Sequence, residues 1–413
     1  MRTLLIIGFV WPEPKSSAAG SRMMQLIQFF LDQNYKIIFA TTTSKTSNAF
    51  DLNSLGIEEK RIELNDSSFD RYVGELMPKV VLFDRFLTEE QFGWRVAEAC
   101  PTAIRILDTE DLHFLRKGRQ QAYKEGRTFK ESDLYNDTAK REIASIFRCD
   151  LSLIISEYEM ELLQEKFKIT PAILHYLPFL LEGNFTNGIL PTYEERKHFV
   201  TVGTFLHEPN YQAVLLLKNQ IWPLIRKKLP QTELHIYGAY SSQKVEQLNK
   251  EKEGFIIKGY VDDLPSVMQT YRVCLAYLPF GAGLKGKLID AMINGVPCAM
   301  NDIAAEGMFG DLEPNGNVEN DPFIFSEQAI SLYETKEIWE SNQQKGFDIL
   351  RERFQKDAHE KELLNHLNKL EQALGVHRQK NFLGALLQHH TLQSSKYMGK
   401  WIEEKNKITK ENS

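Results

Sequence analysis

The feature that most constrains the fold is an alternation of short apolar runs with helical stretches, which starts near residue 3. Residues 3–10 form a continuous apolar run, followed by a proline-rich loop and the small residues 16–20. Residues 22–34 then have apolar side chains at helical spacing, and residues 35–40 form a second apolar run. Such runs are typical of strands buried on both faces of a parallel sheet. The pattern predicts the opening unit of a doubly wound α/β domain.

The same alternation restarts in the second half, after a stretch rich in Gly, Asn, Pro and charged residues. Its short apolar runs lie at 199–202, 233–237, 255–258, 273–277 and 297–300. Because 413 residues are too many for one core, we predict two Rossmann-like doubly wound domains that face an interdomain cleft. The predicted bounds are 1–181 for the N-terminal domain, 182–197 for the linker, 198–375 for the C-terminal domain and 376–413 for a helical stretch. We expect that stretch to pack on the N-terminal domain or to face a membrane.

The overall composition excludes several classes of partner. The formal net charge of −6 gives no electrostatic basis for nucleic acid binding. No apolar run approaches the roughly 20 residues of a transmembrane helix, so any membrane contact is expected to be peripheral. The four cysteines are far apart in the sequence, which predicts free buried thiols and no metal site. Because the first apolar run lacks a signal-peptide cleavage site, we expect a cytoplasmic protein.

A glycine-rich turn with two lysines precedes a short amphipathic helix in the second half. The segment reads GAGLKGKLIDAMINGVPCAM over residues 281–300 and contains Gly283, Lys285, Lys287 and Asp290. Unpaired N–H groups at a helix start and the helix dipole favour an anion, and glycine permits its close approach. The alternative is a set of solvated residues beside an exposed helix. The glycine turn beside a predicted buried strand favours the phosphate site.

A second polar stretch follows the apolar run at 104–107. It contains Asp108, Glu110, Asp111 and His113, at the predicted carboxyl end of a strand. Ligands bind at that edge of doubly wound sheets, so the stretch is predicted to face the cleft. Two interpretations of His113 remain open, a structural histidine with a satisfied partner or a group that binds an acceptor.

Five segments of the second half, in order, and one of the first half resemble the family 4 glycosyltransferases, which have the two-domain GT-B fold. PEPKSSAAGSRMMQLI at 12–27 resembles the loop and helix with which these enzymes begin. Strands, loops and a helix of their sugar-nucleotide-binding domain resemble VGTFLHEPNYQAV at 202–214, IWP at 221–223, LHIYGAY at 234–240 and IKGYVDDLPSVM at 257–268. The stretch from 281 through AAEGM at 304–308 continues the same order. The resemblance covers most of the chain and implies an enzyme that uses a nucleotide sugar.

The resemblance implies a donor site on the C-terminal domain. Lys285 and Lys287 would neutralise the donor diphosphate in place of a metal ion, and Asp290 would accept hydrogen bonds from the ribose. The other implied donor residues are Gly203, Thr204 and Gly283 for the diphosphate, Tyr260 and Val261 for the nucleobase, and Gly20 from the N-terminal domain, with Arg22. For Arg22 the alternative is an ion pair with an acidic residue of a helix.

The implied reaction moves the sugar to an acceptor hydroxyl with retention of anomeric configuration, and it uses no cofactor and no metal. Negative charge builds on the departing diphosphate, so fixed ammonium groups lower the barrier. The implied catalytic set is Lys285, Lys287 and His113, and Asp108, Glu110 and Asp111 would line the acceptor side. The implied acceptor is a glycan, a lipid-linked molecule or another compound with a hydroxyl group.

One position departs from the family pattern. Many members have two glutamates separated by seven residues, and Ala282 occupies the first position when counted back from Asp290. Glu306, in a neighbouring loop, is a candidate substitute for the missing carboxylate. The departure keeps two other functions open, a catalytically silent protein that binds a sugar nucleotide or glycan, and a sugar-nucleotide epimerase of the same fold.

Overall fold

Two parallel sheets covered by helices make up the computed structural model, which describes residues 2–183, 185 and 190–411. The strands of the N-terminal sheet are β1 (Thr3–Gly8), β2 (Lys36–Thr41), β3 (Glu58–Arg61), β4 (Val80–Asp84), β5 (Ile104–Asp108), β6 (Leu151–Ile154) and β7 (Leu174–Tyr176). Their order is β3-β2-β1-β4-β5-β6-β7. Because the order reverses at β1, helices cover both faces, as predicted for a doubly wound domain.

The C-terminal sheet repeats this plan. Its strands are β8 (Lys197–Val202), β9 (Leu234–Tyr237), β10 (Phe255–Gly259), β11 (Tyr271–Ala276), β12 (Cys298–Met300) and β13 (Gly316–Val318). Their order is β10-β9-β8-β11-β12-β13. The pairings of named strands recorded for the described residues are all parallel. The predicted fold class is confirmed.

Helices follow nearly every strand. Those of the N-terminal sheet are α1 (Ala18–Asp32), α2 (Ser68–Leu76), α3 (Arg85–Ala99), α4 (His113–Lys124), α5 (Asp137–Arg148) and α6 (Glu157–Glu165). Those of the C-terminal sheet are α7 (Glu208–Leu216), α8 (Trp222–Lys228), α9 (Gln243–Glu246), α10 (Leu264–Met268), α11 (Gly286–Ile293), α12 (Asp302–Ala305), α13 (Pro322–Glu334) and α14 (Lys336–Arg353). Two last helices are α15 (Lys356–Lys380) and α16 (Phe382–Glu411).

Strands with continuous apolar sequences match the prediction, whereas three short edge strands were not predicted. β4 is buried at all five positions, as expected for a strand covered on both faces. β3 reads EEKR and lies at the sheet edge, where it pairs with β2 alone. Because an edge strand needs no apolar face of its own, its sequence carries no strand signal. β7 and β13 span only three residues each.

The predicted end of the C-terminal domain is wrong by about twenty residues. We placed residues 356–375 in that domain, but Leu363, Leu367 and Leu370 of α15 are buried in the N-terminal core beside β1, β4 and β5. The apolar stripe of α15 faces the N-terminal sheet because the chain crosses back directly after α14. Residues 184 and 186–189 of the predicted linker lie outside the described residues, and β8 already begins at its last position, Lys197.

The two domains are joined at two crossing points that are hydrogen-bonded to each other. Leu181 N donates to Phe354 O at 2.8 Å, and Lys356 N donates to Leu181 O at 3.0 Å. After this bridge, α15 and α16 pack on the N-terminal domain, where α16 contacts α3 and α5. The cleft between the sheets is therefore bordered by loops at the carboxyl ends of strands from both domains.

Candidate functional site

The glycine-rich turn between β11 and α11 is held by its own lysine. Lys285 is buried, and its Nζ donates to the carbonyl oxygens of Ala282 at 3.0 Å and Gly283 at 2.6 Å. Burial lowers the pKa of Lys285 to about 8, because water stabilises the charged ammonium better than a protein interior does. Lys285 therefore shapes the turn that we predicted as a phosphate site.

Two charged side chains on α11 have no protein partner. Lys287 and Asp290 lie three residues apart on this helix and are half-buried. In the described part of the chain, no hydrogen bond or ion pair engages Lys287 Nζ or the Asp290 carboxylate. Burial lowers the pKa of Lys287 to about 8 and raises the pKa of Asp290 to about 7. Partly desolvated charges without a partner are costly, so their presence here indicates a ligand site.

The ends of β8 and β10 lie at the same edge of the sheet as this turn. A Cβ at Gly203 would lie 2.6 Å from the Asn210 side-chain amide, and Asn210 Nδ2 donates to Thr204 O at 3.0 Å. This contact shapes the backbone at Gly203 and Thr204 and leaves the Thr204 side chain half-buried. After β10, Tyr260 is exposed and Val261 is half-buried. The implied donor residues of the C-terminal domain thus follow the ends of β8, β10 and β11, at one edge of the sheet.

Arg22 is engaged within the N-terminal domain. Its Nε and Nη2 donate to Asp108 Oδ1 at 3.1 and 2.9 Å, and its Nη1 donates to Leu177 O at 2.7 Å. Of the two interpretations given above, this geometry fits the ion pair, here with an acid at a strand end. A Cβ at Gly20 would overlap the backbone of Glu13, so glycine is needed there to let the preceding loop approach the first turn of α1.

The acceptor stretch after β5 forms a network of charges. Asp111 accepts from Arg116 Nε at 2.6 Å and from Arg116 Nη2 at 3.1 Å, and His113 Nε2 lies 3.4 Å from Asp111 Oδ1. Burial lowers the pKa of His113 to about 3, so the ring is neutral at physiological pH. Burial and the neighbouring Asp108 raise the pKa of Glu110 well above its usual range. Glu110 also has φ 61°, which is uncommon for a residue other than glycine.

Glu159 links the acceptor stretch to the glycine turn, and sequence reasoning missed it. Its Oε1 accepts from Leu112 N at 3.0 Å in one domain and from Gly283 N at 2.8 Å in the other. Glu159 is fully buried, and its Oε2 has no hydrogen-bond partner among the described residues. Burial raises the pKa of Glu159 to about 7. The sequence feature that could have identified Glu159 is its position three residues before Leu162, which places an acidic residue on the apolar side of α6.

Arg119 forms a second link across the cleft, and it was also missed. Its Nη1 donates to Gly281 O and to Glu306 Oε1, both at 2.8 Å, and its Nη2 donates to Glu306 Oε2 at 2.6 Å. Such a bidentate pair holds both side chains in a defined orientation. Glu306, our candidate substitute for the missing carboxylate at Ala282, is therefore paired with an arginine of the other domain. Ala282 is buried in the N-terminal core cluster.

The two domains touch closely around the turn. A Cβ at Gly283 would lie 2.9 Å from Asp111 Cβ, and a Cβ at Gly286 would lie 2.5 Å from Ala18 Cβ. The starts of α1 and α11 therefore face each other. Burial and Arg116 of the other domain lower the pKa of His207 to about 4, although the Asp111 carboxylate opposes this shift. His207 precedes α7. It lies within the VGTFLHEPNYQAV segment, but the sequence analysis gave it no role at the site.

Among the described residues there is no group of three or more His, Cys, Asp or Glu side chains arranged to hold a metal ion. None of the helices described is long and apolar enough to span a bilayer.

Comparison with known proteins gives a family match for the C-terminal sheet. Residues 196–334 match the family model described as Glycosyl transferases group 1. No curated protein sequence matches the chain. The match covers β8 through α13 and so includes the glycine turn, α11 and Glu306.

Several solved structures are similar over both domains. TarM from S. aureus, solved with fondaparinux, alpha-GlcNAc-glycerol and UDP, is 11% identical with a TM-score of 0.66, covering 89% of this chain and 100% of that one. The pneumococcal O-GlcNAc transferase GtfA, solved with UDP and GlcNAc, is 13% identical with a TM-score of 0.66, covering 89% and 99%. Anabaena HepE, solved with UDP and glucose, is 11% identical with a TM-score of 0.65, covering 90% and 100%.

Identities this low show the fold alone, whereas the family match carries the enzyme class. Both agree with the resemblance drawn from the sequence, which is confirmed together with its glycosyltransferase class. Residues 196–334 match the Glycosyl transferases group 1 model, and the chain as a whole has the two-domain GT-B fold seen in glycosyltransferases.

Proposed function

We propose that the enzyme transfers a sugar from a nucleoside diphosphate donor to an acceptor hydroxyl, with retention and without a metal ion or cofactor. The observation that carries the proposal is the unpaired Lys287 and Asp290 on one short helix beside a glycine turn. A diphosphate joined to a ribose would satisfy both side chains, because the diphosphate is an anion for Lys287 and the ribose hydroxyls are hydrogen-bond donors for Asp290. The similar structures named above hold UDP, so UDP is the first nucleotide to test.

The diphosphate would lie at the start of α11. Lys287 supplies one positive charge, Lys285 supplies a second beneath the turn, and the first backbone N–H groups of the helix point the same way. Negative charge on the leaving diphosphate grows as the bond to the sugar breaks, so these fixed charges stabilise the transition state more than the ground state. The pKa of Lys287, lowered to about 8 by burial, would return toward its usual value beside the anion.

The proposed retention involves no covalent intermediate and so needs no carboxylate nucleophile. Glu306 is paired with Arg119, and Glu159 Oε1 is held by two backbone amides. We therefore assign structural roles to both. A phosphate oxygen of the leaving group would take the acceptor proton. Asp108, Glu110, Asp111 and His113 would orient the acceptor, a glycan, a lipid-linked molecule or another hydroxyl compound, and no nucleic acid is expected as a partner.

The test uses Lys287→Ala, with Lys227→Ala as the control, because Lys227 is an exposed lysine at the end of α8, which leads to the start of β9 and so lies away from the carboxyl ends of the strands. Transfer from UDP-sugars to glycan acceptors is measured with the anomeric configuration of the product read by NMR. We expect kcat to fall by about 10²–10³-fold for Lys287→Ala and to stay unchanged for Lys227→Ala and on addition of EDTA.

Other outcomes of the same assay separate the alternatives. Transfer that persists when both Lys285 and Lys287 are replaced by Ala would contradict the proposed site. An inverted sugar still attached to the nucleotide would indicate an epimerase. Binding of nucleotide in calorimetry without turnover over a panel of donors and acceptors would indicate a silent binding protein.

A further inference from the structure

The most extensive group of exposed apolar side chains outside the cleft lies on α16. Phe382, Tyr397 and Trp401 are 73%, 65% and 60% exposed. With Leu383, Leu386 and Met398 they form what we call the α16 stripe. Monomeric proteins rarely expose so many large apolar side chains on one element without a partner surface.

The members of the stripe share one face of the helix. At about 100° per residue, all six fall within an arc of about 160°. The opposite face is packed on the N-terminal domain, where Gly384 lies against the Phe147 carbonyl and Gly399 against the Trp94 ring. Gln388 Nε2 also donates to Arg148 O at 2.9 Å. The stripe therefore faces away from the protein.

We propose that the α16 stripe docks the enzyme on the surface of an anionic lipid bilayer. The stripe consists of two groups of apolar side chains, at 382–386 and 397–401, and its ends are about 29 Å apart at 1.5 Å per residue. A helix of this length with aromatic and aliphatic side chains on one face lies in the interface plane of a membrane, with the apolar face among the headgroups. The inference goes beyond the transfer reaction, since it concerns a surface that contains none of the proposed site residues.

Charge complementarity selects the anionic bilayer. The helix carries five lysines and three glutamates, although the whole chain has a formal net charge of −6. Lys400 and Lys405 lie at the two edges of the stripe, and Lys405 Nζ lies 5.3 Å from the centroid of the Trp401 ring. Ammonium groups that flank an apolar face reach the phosphates while their stems contact the acyl boundary.

A second copy of the chain fits the stripe less well. Two α16 helices packed through their stripes would bring two helices of net positive charge together, and Lys400 has no acidic partner among the described residues. Like charges at such an interface oppose association. In a bilayer, lipid phosphates pair with these lysines while the adjoining acyl region covers the apolar side chains.

The experiment is flotation of the full chain with lipid vesicles, in the absence of donor and acceptor. One set contains phosphatidylcholine with about 30% phosphatidylglycerol, and the other contains phosphatidylcholine alone. We expect binding to the anionic vesicles, weakened by salt, and little binding to the neutral ones. The double variant Tyr397→Ser/Trp401→Ser should bind more than about ten-fold more weakly.

Two further variants sharpen the test. Phe323→Ser is the matched control, because Phe323 is 59% exposed on the C-terminal domain, and it should bind like the wild type. Lys400→Glu/Lys405→Glu changes only exposed groups, so it keeps the fold, and it should lose the preference for anionic vesicles.

The proposal is overturned by failure of the wild type to float, or by undiminished flotation of the stripe variant. Equal binding to both kinds of vesicle also overturns it. A dimer in sedimentation that Trp401→Ser dissociates would assign the stripe to a second copy instead. Because the assay contains no substrate, its result does not depend on the proposed transfer reaction.

Discussion

Asp290 combines a cost in the free protein with a proposed role in binding the donor. Burial raises its pKa from about 3.8 to about 7. A carboxyl whose folded pKa is raised contributes stability at low pH, and that contribution is lost as the pH rises through 7. Its charged form is therefore tolerated at neutral pH rather than stabilised by the protein. We infer that ribose hydroxyls supply the missing hydrogen bonds.

We predict that Asp290→Asn raises the free energy of unfolding at pH 8 by about 1–2 kcal/mol, because the partly desolvated charge is removed. At pH 4 the two proteins should have nearly equal stability. Affinity for UDP should fall by about 10–100-fold, since hydrogen bonds to a charged acceptor are lost. Thermal unfolding at both pH values and calorimetry measure these effects. An unchanged affinity for UDP would refute the ribose role.

At the scale of elements, α4 and the loop after α12 are joined across the cleft by Arg119 and Glu306. Both side chains are largely buried, with exposures of 7% and 14%. An exposed counterpart is Arg353 with Glu157, where the glutamate is 50% exposed. The two pairs cross the same domain interface, but only the first also holds Gly281 O of the glycine-rich turn.

Arg119→Ala and Glu306→Ala should therefore be strongly coupled. We expect a coupling energy of about 1–3 kcal/mol in a double-mutant cycle on unfolding, together with a raised KM for the donor in each single variant. The same cycle on Arg353 and Glu157 should give about 0–1 kcal/mol, as for an exposed ion pair. Equal coupling in the two cycles would show that the buried pair has no special role.

The attachment of α15 to the N-terminal domain depends on a buried carboxylate. Asp150 is 2% exposed, and Arg378 Nε and Nη2 donate to it, both at 2.7 Å. Burial opposes the charge, but Arg378 and Arg105 keep the pKa of Asp150 below its usual range. The pH dependence of stability is therefore opposite to that for Asp290. The stability contributed by the Asp150–Arg378 pair is present at neutral pH and is lost on acidification.

We predict that Arg378→Met lowers the free energy of unfolding at pH 7 by about 2–3 kcal/mol, because a buried carboxylate loses its closest partner. The loss should shrink near pH 4, where the carboxyl in the variant is protonated. Lys380→Met, at an exposed position of the same helix, serves as the control and should change stability by less than about 0.5 kcal/mol. A loss independent of pH would mean that packing, and not charge, decides the effect.

At the scale of the whole molecule, the chain passes between the two domains twice. The two passages lie side by side at the bridge between Leu181 and Gln355. Lys356 is the first residue of α15, a position where proline is tolerated because its N–H is not needed for the helix. Here that N–H donates to Leu181 O instead. Lys356→Pro thus removes one interdomain hydrogen bond without breaking the helix.

We expect Lys356→Pro to broaden the distribution of distances between the two domains, measured by spin-label spectroscopy. Lys356→Ala is the matched control, because it keeps the N–H and removes only the ion pair with Glu182. UDP should narrow the distribution again, since the donor site is proposed to lie in the closed cleft. Identical distributions for the two variants would show that this bridge does not restrain the domains.

What the sequence by itself determined is the fold class and the order of its elements. The apolar runs that became β1, β4 and β5 are buried on both faces, so their pattern needs no knowledge of the neighbours. The glycine turn with Lys285, Lys287 and Asp290 was also predictable, because all of its parts lie within eight residues.

Only the tertiary structure decided which charges remain available to a ligand. Arg22 and Glu306 have the right chemistry, but each is engaged by a partner more than eighty residues away in the chain. Glu159 joins amides of both domains, and α15 returns to the first sheet after the second is complete. Periodicity and spacing report local geometry, whereas ion pairs across a cleft depend on how two finished sheets are placed against each other.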